Sequence, residues 1–75
     1  MKLAAKIHRN NKGGDGIEYL VIESDELDTK GFFLFFHCSL NSPSEADLWF
    51  PDIEGAKSQA ALNYGINDED WELIE

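Results

Sequence analysis

Cysteine occurs once in these 75 residues, at Cys38, so no disulfide can form within the chain. Domains of this length have marginal cores and commonly lean on disulfides, a metal or a partner subunit. No Cys/His cluster has metal-ligand spacing, and two histidines, His8 and His37, fall short of the four ligands that structural zinc takes. Good packing and association are the aids that remain. Basic residues are scarce as well: six Lys and Arg stand against fifteen Asp and Glu, a formal charge of −9. Phosphate backbones and anionic lipid surfaces attract cations, so this balance argues against nucleic acid and membrane as partners. No apolar run approaches the roughly 20 residues of a membrane span. The opening MKLAAKIHRN lacks the roughly 7–15 consecutive apolar residues of a signal-peptide core. With a single thiol, the expected compartment is the cytoplasm. The glycine-rich stretch 10–16, NNKGGDG, lacks the Gly-Lys-Ser/Thr ending of a phosphate loop, and no cofactor is expected.

What is present is an apolar share of 43%, enough for a real core in one domain spanning residues 1–75. The chain is organised around residues 31–39, GFFLFFHCS. Strand side chains alternate between faces, so Phe32, Leu34, Phe36 and Cys38 share one side and Phe33, Phe35 and His37 the other. A strand with water on one face alternates apolar and polar; a run apolar at both parities wants cover on both. Aromatic residues suit a pleated surface better than a helix, so this run predicts a central β-strand.

Residues 2–9 alternate as a half-buried strand, with Leu3, Ala5 and Ile7 on one side. Residues 10–16 read as a hairpin connection, and 17–23 as a second strand. In that strand Ile17, Tyr19 and Val21 share one face, and Glu18, Leu20 and Ile22 the other. Residues 24–30 form an acidic turn whose carboxylate spacing does not match a calcium loop. After the central strand, Pro43 marks a loop, and residues 46–50, ADLWF, read as a fourth strand. Pro51 ends it. Asp52 is placed to cap a helix over 53–64, whose Ile53, Ala56, Ala60 and Tyr64 form one narrow stripe. Leu62 points away from that stripe. Gly65 suits the left-handed residue after the helix, with Ile66 supplying the hydrophobic contact of a Schellman ending. Residues 67–70 turn, and 71–74, WELI, add a final strand or docked tail. The predicted class is α+β: a four- to five-stranded antiparallel meander with one helix on one face, β-β-β-β-α-β.

Within residues 46–71, Trp49, Ile53-Glu54-Gly55-Ala56, Ala60, Tyr64-Gly65-Ile66 and Trp71 form a pattern. It resembles the C-terminal half of many small uncharacterised bacterial proteins. Those carry a strand ending in Trp, a helix with spaced alanines, Tyr/Phe-Gly-Ile/Val and a closing Trp. The resemblance implies a fold and a bacterial origin, and brings no catalytic residues.

Chemistry is thin. His37 and Cys38 are adjacent in a strand, so their side chains diverge and cannot form a nucleophile–base pair. Cys38 reads as a small hydrophobe, and His37 could meet His8 across strands. Asp68, Glu69, Asp70 and Glu72 read as a solvated rim around Trp71. The surface question is more informative. One alanine-striped helix covers part of one sheet face. The more apolar set, Leu3, Ala5, Ile7, Ile17, Tyr19, Val21, Phe32, Leu34, Phe36, Leu48 and Phe50, is assigned to the helix side. The other face is then expected to carry Leu20, Ile22, Phe33, Phe35 and Trp49, fringed by Lys6, Glu18, His37 and Asp47. A bulge would exchange the faces of a strand. An apolar aromatic centre with a polar rim is interface anatomy.

Three functional readings follow. The first is a non-enzymatic protein-interaction module using that face, toward a protein partner or a second copy. The second is an acidic inhibitor or immunity/antitoxin-type protein that neutralises a basic partner. It draws on the nine acids that accompany the single base, Lys57, from Ser39 onward. The third is a small enzyme, which would need a pocket lined by carboxylates or histidine.

Overall fold

The computed structural model describes residues 1–8, 16–25 and 30–75. Most of the hairpin connection expected over 10–16 and most of the acidic turn expected over 24–30 lie outside the described residues. The elements are β1 (Lys2–Lys6), β2 (Tyr19–Ser24), β3 (Phe32–His37), β4 (Ala46–Phe50), α1 (Ile53–Tyr64), a 3-10 turn (Asp68–Asp70) and β5 (Glu72–Leu73). The strands form one sheet in the order β4-β3-β2-β1-β5, and every neighbouring pair is antiparallel. The first four strands are the expected meander. β5 is only two residues long and pairs with β1 at the far edge from β4, so the helix connection carries the chain from one edge to the other.

α1 starts and stops where its ends are satisfied. The Asp52 carboxylate accepts from the Gly55 amide at 2.8 Å, taking up one of the unpaired first-turn donors. Gly65 sits at φ 67°, and its amide donates to the Ala61 carbonyl at 2.9 Å. That single bond is the simpler left-handed ending, in place of the Schellman pair expected; Ile66 is nonetheless buried in the core. Ala56 and Ala60 have no exposed surface, and the Tyr64 ring meets Phe36 at a centroid distance of 6.3 Å. Small side chains let the helix lie close to the sheet. Leu62 points outward and is 80% exposed.

Beneath α1 lie Ala5, Ile7, Leu20, Ile22, Leu34 and Phe36, with Leu3, Phe32 and Phe50 packed around them. Fully burying one Leu or Ile side chain contributes about 1.5–3 kcal/mol, so this layer carries most of the fold's stability. Its composition corrects the expected faces of β2. The register pairs Leu3 with Ile22, Ala5 with Leu20, and Leu20 with Phe36. Leu20 and Ile22 are therefore core residues, and Tyr19 and Val21 point the other way.

The cause is local. Ile17 is buried in the same core as Leu20, although three residues of regular strand would put them on opposite sides. Tyr19 is the register partner of His37, yet the Glu18 amide donates to the His37 carbonyl at 2.9 Å. Two residues of the β2 side thus oppose one of β3, the arrangement of a β-bulge. It returns Ile17 to the core and shifts the alternation of everything after it.

Candidate functional site

The face away from α1 is built row by row from the register. Trp49, Phe33, Glu23 and Lys2 form one row. Asp47, Phe35, Val21, Ala4 and Glu72 form the next, and His37, Tyr19 and Lys6 the third. Of the residues expected on this face, the structure brings Phe33, Phe35 and Trp49 together and places Leu20 and Ile22 beneath the helix. Tyr19 and Val21 take their positions. The signal that would have found them is the bulge, and Glu18 offers no compositional mark of one.

Phe33 and Phe35 are stacked at a centroid distance of 5.7 Å, and Phe35 meets the His37 ring edge-on at 6.4 Å. Such ring pairs add about 0.5–1.5 kcal/mol beyond the area they bury. Trp49 lies over the backbone of Gly31: a methyl group there would sit 2.3 Å from the indole ring. Gly31 is what lets the indole lie flat. Trp49 remains 44% exposed, Phe33, Phe35 and Tyr19 are half-buried, and Val21 and Ala4 are buried. β5 lengthens the sheet at its β1 edge, where Glu72 pairs with Ala4.

His37 Nδ1 lies 3.0 Å from the Ser42 carbonyl. A carbonyl only accepts, so Nδ1 carries the proton and donates. His8 is not its neighbour, because β2 stands between β1 and β3. The expected His8–His37 pairing is replaced by two separate contacts. His8 Nε2 lies 2.9 Å from Asp70 Oδ1, while Asp70 Oδ2 accepts from the Asn67 amide at 2.8 Å. The Asn67 amide, and then the bond to His8, hold the Asp70 carboxyl below the usual carboxylate range. Beside this contact runs an open groove of about 780 Å³ bordered by Lys6, Ile7, His8, Tyr19, Asp70 and Ile74. Its histidine has a carboxylate to orient it, and among the described residues no Ser, Thr or Cys borders the groove. Cys38 is packed against the helix-side core, its thiol donating to Glu45 at 3.4 Å. Among the described residues, no group of three His, Cys, Asp or Glu side chains could hold a metal ion, and no helix is long and apolar enough to cross a membrane.

The fold is therefore an open five-stranded antiparallel sheet with one helix on one side, an α+β architecture. No family model, curated protein or solved structure matches the chain.

Proposed function

We propose that this chain is a non-enzymatic protein-interaction module, and that its contact surface is the sheet face opposite α1. The observation that carries the reading is the aromatic group of Phe33, Phe35, Tyr19 and Trp49 on a face that the helix leaves open. Aromatic residues are enriched in interface centres, where they add contact area at low entropic cost. Lys2, Lys6, Glu23, Asp47 and Glu72 surround the aromatics and supply the polar rim. The corrected surface is thus Tyr19, Val21, Phe33, Phe35 and Trp49.

A photoreactive side chain at position 35 tests the reading. It should form protein adducts of discrete mass in the cells that make the chain. The same group at position 62, on the solvent side of α1, should give only diffuse background. Equal labelling at the two positions retires the reading.

The charge distribution favours a second reading, the acidic inhibitor. Asp52 and Glu54 are exposed at the start of α1, and Asp68 and Glu69 in the 3-10 turn that follows it. A basic partner would be steered to that side, and its association rate would fall as salt rises.

A further inference from the structure

The segment after Ile66 is attached differently from the rest of the fold. None of residues 67–75 is buried: Asp70 and Trp71 are half-buried, and the rest are exposed. Its hold on the core is the Trp71 side chain, which packs against the hydrophobic cluster. Its hold on β1 is a set of backbone bonds made by exposed residues. They are the short β5 ladder, the Ile74 amide donating to the Lys2 carbonyl at 2.8 Å, and the Lys2 amide donating to the Glu75 carbonyl at 2.8 Å. Two ion pairs, Lys2 with Glu75 at 3.8 Å and Lys57 with Asp68 at 4.0 Å, end on exposed carboxylates and add little. Segments with few buried apolar contacts and exposed backbone bonds open locally more readily than the core.

One side chain joins this segment to the sheet and also shapes it. A carboxylate only accepts, so His8 Nε2 carries the proton and donates to Asp70 Oδ1 at 2.9 Å. Asp70 Oδ2 accepts from the Asn67 amide at 2.8 Å and closes the 3-10 turn. The bond that docks the turn and the bond that folds it therefore share one carboxylate.

We propose that residues 67–75 are a strap that opens and closes as one unit while the sheet and α1 stay folded, and that Asp70 is its latch. The strap supplies one wall of the open groove through Asp70, Glu72 and Ile74, with Lys6, Ile7 and His8 on the β1 side. Opening removes that wall. It also uncovers the outer edge of β1, a five-residue strand of which β5 pairs only Leu3 and Ala4. The strap thereby gates the groove. Asp70 acts by position: its loss undoes turn and tie together, whereas loss of His8 undoes the tie alone.

Native-state amide hydrogen exchange of the whole chain, followed by nuclear magnetic resonance at low urea concentrations, reads the strap separately from the core. The Lys2, Asp70 and Ile74 amides should be at least about 100-fold less protected than the Leu20 amide of the central strands. They should share one opening constant that urea leaves nearly unchanged, because little surface is exposed. His8→Ala should speed Lys2 and Ile74 about threefold to tenfold, and His8→Gln, whose amide nitrogen can still donate, should keep the original rates. Asp70→Ala should speed all three further, about 30-fold, with circular dichroism showing each variant folded. Ile22→Val weakens the core and should speed Leu20 about threefold to tenfold while leaving the strap amides unmoved. Strap amides that follow Leu20 in urea dependence, or that respond to Ile22→Val, overturn the strap as a separate unit. Rates unchanged by His8→Ala, or no faster in Asp70→Ala than in His8→Ala, overturn Asp70 as its latch.

Discussion

Leu34 and Phe35 are neighbours on one strand, yet the first has no exposed surface and the second is only half-buried. The same step separates Leu20 from Tyr19. Both faces of the central strands are apolar. The difference between them is the lid: α1 packs against β2, β3 and β4 on one side, with Ala56 and Ala60 seated on the sheet. Apolar content alone therefore says little about where the core lies. Packing beneath α1 accounts for one aromatic set and not for the other.

The comparison can be broken at several points. The largest effect should come from Leu34→Ala, which opens a cavity beneath the helix and should cost about 2–5 kcal/mol in denaturant unfolding. Next is Gly31→Ala, which forces the Trp49 indole off the backbone and should cost about 1–3 kcal/mol. It should also change the fluorescence of that exposed tryptophan. Phe35→Thr, on the open face, keeps a residue suited to strands and should cost about 1–2 kcal/mol at dilute concentration. A loss as large as that of Leu34→Ala would make Phe35 a core residue and erase the distinction between the faces. Asp52→Ala, which removes the helix cap, should cost about 1 kcal/mol.

The smallest effect is a pH dependence. Asp70 in the unfolded chain titrates near its ordinary value of 3.8, and in the folded chain below it. Stability from this group is fully present above the unfolded value and is lost as pH falls through the folded one. Asp70→Asn should therefore make the acid limb of the stability curve shallower below about pH 4.

Much of the architecture was legible from local chemistry. The double-parity run around Phe33 marked the central strand, and Asp52 and Gly65 marked both ends of the helix. These signals depend on residues close in sequence. The face of β2 was not legible, because Tyr19 and Val21 are about as apolar as Leu20 and Ile22, and both parities satisfy the pattern. The bulge at Glu18 arises from pairing with His37, a long-range event. The position of β5 beside β1 was hidden for the same reason, since it depends on the helix crossing the sheet. Leu48 points toward the helix side as expected, yet stays 43% exposed because it lies on an edge strand beside a narrow helix. Of the expected contact residues, Phe33, Phe35 and Trp49 share the open face, and Leu20 and Ile22 moved with the flipped strand.

The most direct measurement is nuclear magnetic resonance with a soluble paramagnetic agent, which broadens protons in proportion to their contact with solvent. In dilute solution the ring protons of Phe35 and the indole protons of Trp49 should broaden strongly, while the methyls of Leu34 stay sharp. Ring protons as sheltered as Leu34 in the dilute chain would contradict the account.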